Sequence, residues 1–270
     1  MKLKAANPNF EVIIGTDQDD VLTVSNPTAA VRTFISGGAG DDTITGGAGR
    51  DTILGGAGND IIDGVKGNDR IFAGDGDDYV FASTNGHGHY DGGAGFDTLD
   101  FSHAHSGLNI NMGRGTASGG DLKADFTGFE KIIGSNFGDH IKGSSHADVI
   151  VGGNGDDVIQ GGGGGDMLTG GLGHNTFVFT KGDILGHGAA PIAATITDFS
   201  SKDTLDLSSY FKGQVVDATN INDLVHVGSS AHGDVISVKH GQDYIAVAVL
   251  GNVHDELNGS MLLSHHMLLV

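Results

Sequence analysis

The sequence predicts an all-β fold: a parallel β-roll (a β-solenoid) of nonapeptide repeats, closed by a small β-rich cap at the C-terminal end. Three observations carry this expectation. Nine-residue units repeat without a gap over Gly37–Phe81 and again over Gly134–Val178. A large apolar residue returns at the eighth position of each unit. Glycine accounts for 48 of the 270 residues, with aromatic content of only 6%, which favours a thin layered solenoid over a large globular core.

The first array reads GGAGDDTIT, GGAGRDTIL, GGAGNDIID, GVKGNDRIF and AGDGDDYVF. The second reads GSNFGDHIK, GSSHADVIV, GGNGDDVIQ, GGGGGDMLT and GGLGHNTFV, and an isolated copy, GGAGFDTLD, spans Gly92–Asp100. Side chains alternate along a strand, so the apolar eighth position faces inward and its neighbours face out. Ile44, Ile53, Ile62, Ile71 and Val80 form one such series; Ile141, Ile150, Ile159, Leu168 and Phe177 form the other. A disordered Gly/Asp linker is the competing reading, and a linker has no reason to place an aliphatic residue every ninth position.

Along the chain, residues 1–100 comprise a lead-in and the first array, with GTDQDDVLT at 15–23 a degenerate repeat presenting Asp20. Residues 82–91 are one residue too long for a row and predict a bulge or loop. Residues 101–133, with alternating Leu108, Ile110 and Met112, are expected to continue the stack as ordinary bridging coils. The second array occupies 134–180. From Lys181 to Val270, TITDFSSKDTLDLSSYF and DYIAVAVLGNV read as alternating strands of the cap.

The pattern G-G-x-G-x-D-x-U-x places glycines at a sharp turn whose carbonyl oxygens can converge, and adds a carboxylate at position 6. A hard cation that takes six to eight oxygens suits such a turn, and Ca²⁺ is the expected ion. The candidate ligating positions in the first array are Gly38, Gly40, Asp42, Gly47, Gly49, Asp51, Gly56, Gly58, Asp60, Gly67, Asp69, Gly74, Gly76 and Asp78. Asp20 precedes them, and Gly93, Gly95 and Asp97 follow. In the second array they are Asp139, Asp148, Gly153, Gly155, Asp157, Gly162, Gly164 and Asp166.

With two nonapeptides per coil, rows two apart stack. This pairs Asp42 with Asp60, Asp51 with Asp69, Asp60 with Asp78, Asp139 with Asp157 and Asp148 with Asp166. Asn175 replaces the aspartate that would pair with Asp157, so that turn is expected to bind more weakly. His146 and Ala147, and Val65 and Lys66, occupy glycine-rich turn positions and weaken their turns in the same way. Roughly six to eight ions are expected, supplying about +12 to +16 of charge.

That charge matters because the formal net charge is −20, from 34 acidic and 14 basic residues. Such a chain repels nucleic acid and anionic membranes, and itself, in the metal-free state. Binding and folding are therefore expected to be one event, switched on at extracellular calcium levels. Cysteine is absent, so no disulfide framework is implied. The N-terminal MKLKAANPNFEVIIGT lacks the apolar core of a secretory signal peptide, and no stretch resembles a transmembrane helix.

These repeats resemble the RTX (repeats-in-toxin, haemolysin-type calcium-binding) family over residues 15–178. ITDFSSKDTLDLS resembles the segment that follows the repeats in serralysin-like secreted proteins, and the terminal MLLV is similar to the apolar ends of type I secretion substrates. The resemblance implies export of an unfolded chain through a type I ABC transporter complex and calcium-driven folding outside the cell. It also implies an extracellular location, with a C-terminal secretion signal inside the cap.

No catalyst is legible. There is no H-E-x-x-H and no G-x-S-x-G, and only residues 1–14 precede the first degenerate repeat. The expectation is a non-enzymatic secreted calcium-binding protein acting at the cell surface, in the matrix or in host contact. The alternative is the C-terminal export, folding and polysaccharide-binding module of a larger secreted protease, lipase or alginate epimerase. Lys123, Lys131 and Lys142 are the basic residues a polysaccharide stripe would need, and scattered surface charge is the simpler reading of them. His87 and His89, and His103 and His105, form two H-x-H pairs that on strands would each project from one face, a geometry that suits zinc or nickel. The plainer reading makes them exposed residues flanking an irregular row; His265 and His266 offer less.

Overall fold

The structure is a computed structural model that describes residues 2–3, 10–24, 31–185, 192–217, 219–251 and 268–269. It is built almost wholly from strands and divides into two compact units, residues 1–136 and 137–270. Each unit is a parallel β-roll with two sheets.

In the first unit one sheet stacks Phe10–Ile14, Arg32–Ala39, Thr52–Ala57, Arg70–Asp75, Gly86–Ala94 and Leu122–Thr127 in parallel. The facing sheet stacks Val21–Thr23, Thr43–Thr45, Ile61–Asp63, Tyr79–Phe81, Thr98–Asp100 and Lys131–Ile133. Ile35 pairs with Ile53 and Ile53 with Ile71; opposite them Ile44 pairs with Ile62 and Ile62 with Val80. Each step spans two nonapeptides, and all of these side chains are fully buried between the sheets. The inward series expected from position 8 is thus the core of the roll.

Past Ile71 the step lengthens by one residue: Ile71 pairs with Tyr90 and Val80 with Leu99. The extra residue is absorbed in the turn before Gly86, where Thr84 N donates to Val65 O. Tyr90 takes an aliphatic slot in the column, and its hydroxyl accepts a hydrogen bond from Ser83 N at 2.9 Å. Of the expected bulge or loop, the structure has the loop, a turn that leaves strand pairing intact.

Residues 101–133 are ordinary coils only in part. Leu122–Thr127 and Lys131–Ile133 extend the two parallel stacks. Ahead of them in the chain, Asn109–Asn111 and Thr116–Gly119 run antiparallel as a meander alongside Leu122–Thr127. A 3₁₀ turn at Met112–Arg114 reverses the chain: the Asn111 side chain accepts from Arg114 N, and Gly115 closes the turn at φ 62°. Local capping chemistry, rather than a glycine repeat, sets this reversal.

In the second unit, His140–Lys142, Val158–Gln160, Thr176–Val178, Thr204–Asp206 and Leu268–Leu269 form one parallel stack. Val149–Asn154, Met167–Leu172 and Ala194–Ile196 begin the facing sheet. Asp243–Leu250 joins it parallel to Ala194–Ile196, and Gly233–His240 and Val225–Ser230 complete it antiparallel. The roll accordingly runs past Lys181. Leu168 pairs with Ile196 and Phe177 with Leu205, a step of 28 residues in place of 18. Residues 225–250 form a three-stranded antiparallel meander joined to this sheet through Asp243–Leu250. His265 and His266 and most of the C-terminal apolar stretch lie outside the described residues.

Candidate metal centre

The glycine turns take backbone angles that side chains would strain. Gly38, Gly40, Gly56, Gly58, Gly67, Gly74, Gly76, Gly93, Gly95, Gly153, Gly155, Gly162 and Gly164 all adopt φ between 98° and 141°. At Gly56 and Gly58 the reason is doubled. A Cβ there would meet Gly38 O at 2.0 Å and Gly40 O at 2.3 Å, so the coils stack closely only without side chains. Gly47 and Gly49 lie outside this left-handed range, and the row they belong to turns differently.

Position 6 forms a ladder of buried carboxylates. Asp20 N donates to Asp42 Oδ1, Asp42 N to Asp60 Oδ1 and Asp60 N to Asp78 Oδ1, each at 2.7–2.8 Å. Asp78 N donates to Asp97 Oδ1, and Asp97 N donates to Glu130 Oε2 at 2.9 Å. A second ladder on the other edge of this unit joins Thr33 N to Asp51 and Asp51 N to Asp69. In the second unit Asp139 N reaches Asp157, Asp157 N reaches Asn175 and Asn175 N reaches Asp203, while Asp148 N reaches Asp166.

One carboxylate oxygen is thereby used at each step, and the fate of the other divides the sites. Oδ2 of Asp42, Asp60, Asp78, Asp97 and Asp157 is buried with no hydrogen-bond partner. At Asp51 the second oxygen accepts from Gly47 N at 2.8 Å, and at Asp69 from the Ser83 hydroxyl at 2.7 Å. At Asp148 it accepts from Ser144 N, and at Asp20 from Thr16 N and Oγ1.

The unpartnered oxygens point at further acceptors. A Cβ on Gly55 would lie 2.3 Å from both Asp60 Oδ2 and Ala73 O. A Cβ on Gly152 would lie 2.3 Å from Asp157 Oδ2 and 2.6 Å from Gly170 O, and Gly37 stands likewise beside Asp42 Oδ2 and Gly55 O. Carboxylate and carbonyl oxygens therefore converge with no donor between them. An unsatisfied buried carboxylate oxygen is costly, and a cation is the group that satisfies two acceptors at once. The donor set is all oxygen, which fits Ca²⁺.

Electrostatics agree. Burial raises the pKa of Asp60, Asp78 and Asp97 to about 6, and the neighbouring carboxylates of the stack push in the same direction. Asp69 and Asp157 rise to about 7 and Asp166 to about 6, again chiefly through burial. Asp42 is raised from the same cause. Backbone N–H donors oppose the shift at every one of these residues without cancelling it. Stacked carboxylates in low-dielectric surroundings call for compensating positive charge, and among the described residues no basic side chain pairs with these.

Several participants escaped the sequence reading. Position 5 forms its own ladder, in which Asn59 N donates to Asp41 Oδ1 and Asp77 N to Asn59 Oδ1, both at 2.7 Å. The repeated Asp-Asp and Asn-Asp doublets were the available signal. Glu130 and Asp203 end their position-6 ladders from segments without a glycine motif. Asp198 caps Gly170 N and Gly171 N at 2.8 and 2.7 Å. Position 1 was also unmarked, although a side chain at Gly37, Gly55 or Gly152 would collide with the carboxylate. Of the two histidine pairs, only His87 and His89 lie on a strand; His103 and His105 sit in a turn, with His103 stacked on Phe81 at 5.0 Å.

Among the described residues no helix is long and apolar enough to cross a membrane. No curated protein matches the chain by sequence. Among solved structures, the extracellular lipase LipA from Serratia marcescens is similar at 17% identity and a TM-score of 0.26. That match covers 90% of this chain and 40% of the lipase chain. The RTX calcium-binding nonapeptide repeat matches in four copies, at residues 33–62, 54–85, 126–157 and 142–177. These segments overlap the glycine turns and carboxylate ladders, and over them the chain carries RTX calcium-binding nonapeptide repeats.

Proposed function

We propose that the chain is a secreted calcium-binding protein whose rolls fold on meeting extracellular Ca²⁺ after unfolded export through a type I secretion complex. RTX repeat proteins are secreted and their nonapeptides bind calcium. The observation that carries the reading is the column of buried, unpartnered Oδ2 atoms at Asp42, Asp60, Asp78 and Asp97, with its counterpart at Asp157. In the metal-free chain these carboxylates oppose folding; with calcium bound they become the ligands that fasten one coil to the next.

The same observation refines the ion sites. Calcium is held along the Asp42–Asp60–Asp78–Asp97 column and at Asp157, assisted by carbonyls such as Gly55 O, Ala73 O and Gly170 O. The turns of Asp51, Asp69 and Asp148 contain internal donors and depend less on the metal. Ion number is then lower than a count of all repeats implies. The repeats act by binding rather than by catalysis, and the work of the folded roll lies at a cell surface or in a matrix.

The test is a calcium titration of the EDTA-stripped full chain followed by far-UV circular dichroism. A cooperative coil-to-β transition with calcium, not reproduced by magnesium, is the expected outcome. A chain already folded without calcium overturns the folding switch.

A further inference from the structure

We propose that His87, His89 and Asp125 form a zinc site on the outer face of the first roll, separate from the calcium turns. His87 and His89 are two apart on strand Gly86–Ala94 and so project from the same face. On the adjacent parallel strand, Asp125 is the register partner of His89. His87 Nε2 stands 2.8 Å from Asp125 Oδ2, and His89 Nδ1 stands 3.5 Å from the same oxygen. The two imidazoles stack at 4.9 Å with 23° between their planes. One ligand atom from each residue lies within 4.8 Å of the others.

These separations bracket the spacing of ligands around a tetrahedral zinc, about 3.3 Å for bonds of about 2.0–2.1 Å. All three side chains are exposed, so small side-chain rotations bring them to that spacing without moving the sheet. The strand pairing fixes their backbones, which is the expensive part of building a metal site. Two imidazoles and one carboxylate favour zinc over calcium, since calcium takes oxygen ligands. Arg70 and Lys123 are the cross-strand neighbours of His89 and His87, and they oppose a cation by charge alone. Asp91, two residues beyond His89, and Asp125 offset them, and charges this exposed are screened by solvent where coordination bonds are not.

Beside the site lies a groove of about 580 Å³ lined by Arg70, Phe72, His89, Arg114 and Asp125, among others. Three protein ligands leave a fourth zinc position for solvent or a small anion drawn from this groove, with Arg70 and Arg114 available to hold its charge.

The experiment uses the full chain without a polyhistidine tag, saturated with calcium so that the carboxylate ladders are occupied, and titrated calorimetrically with zinc. One zinc per chain in the low-micromolar range is expected. His87→Ala and His89→Ala weaken it more than about tenfold, Asp125→Asn weakens it less, and His103→Ala leaves it unchanged. Circular dichroism of each calcium-loaded variant checks the fold, and the visible spectrum of the cobalt-substituted parent reports tetrahedral nitrogen and oxygen ligation. Failure to bind zinc, or zinc binding that His87→Ala and His89→Ala both leave intact, overturns the proposal.

Discussion

Asp157 and Asn175 are consecutive steps of one ladder: the Asn175 side-chain oxygen accepts the Asp157 N–H at 3.1 Å, just as Asp157 accepts that of Asp139. Their remaining side-chain atoms have opposite fates. Asp157 Oδ2 is buried and unpartnered, whereas the Asn175 amide nitrogen turns toward Gly171 O at 3.5 Å. A Cβ on Gly170 would meet that nitrogen at 2.5 Å, in the place where Gly152 faces Asp157 Oδ2. The amide thus puts a donor where Asp157 puts an unpartnered acceptor, and this step leaves no bare carboxylate oxygen for a metal to satisfy.

Asn175→Asp should therefore convert this step into a calcium site. The expected outcome is one additional equivalent of bound calcium in equilibrium dialysis, with a steeper folding transition. In the absence of calcium the same change should destabilise the second unit, because it buries a further charge.

The column and its partner ladder should respond differently to neutralisation. Asp60→Asn removes an unpartnered charge, so it should stabilise the metal-free chain yet lower calcium affinity by about tenfold or more. Asp69→Asn removes a carboxylate already bonded to Ser83 and should change calcium binding much less. Parallel calcium titrations of the two variants decide the matter; equal losses would mean that both ladders hold the metal alike.

The core is legible in the repeat itself, because Ile44, Ile53, Ile62 and Ile71 recur at a fixed spacing that only a stacked roll can use. The repeat also marks the carboxylates, but not which of them need a cation. That distinction rests on Gly47 N, the Ser83 hydroxyl and Ser144 N, donors placed by local turn geometry that the motif does not encode. The strands at Ala194–Asp206 are legible as alternating strands, but not as a continuation of the roll, because Leu168 and Ile196 pair across 28 residues instead of 18, with Asp203 taking the ladder position without a glycine turn. Asp125 joined His87 and His89 only through cross-strand register, which spacing along the chain cannot reveal.

Acid should act in opposite directions on the metal-free and calcium-bound protein. The folded pKa values of Asp60, Asp78 and Asp97, about 6, and of Asp157, about 7, exceed the unperturbed 3.8. Groups raised on folding contribute stability that is complete below the unfolded pKa and is lost as pH rises through the folded one. The metal-free chain should accordingly be most folded near pH 4 and lose structure between about pH 4 and 7. With calcium the protons compete for the same oxygens, so the calcium concentration at half-folding should rise as pH falls through that window. Circular dichroism against pH, with EDTA and with calcium, measures both slopes.

Val65 is the one described residue other than glycine at positive φ, 68°, and it occupies the second turn position that glycine holds in most repeats. A β-branched side chain is strained in this region by about 1–2 kcal/mol. The turn is nonetheless held: Val65 N donates to Asp63 Oδ1 at 2.7 Å, and Val65 O accepts from Thr84 N at 3.2 Å. Val65→Gly keeps both bonds and removes the strain, at an entropic cost of about 0.5–1 kcal/mol in the unfolded chain. The net expectation is a gain of up to about 1 kcal/mol for the calcium-loaded protein, seen as a higher thermal midpoint. A lower midpoint would mean that the Val65 side chain contributes packing worth more than the strain it causes.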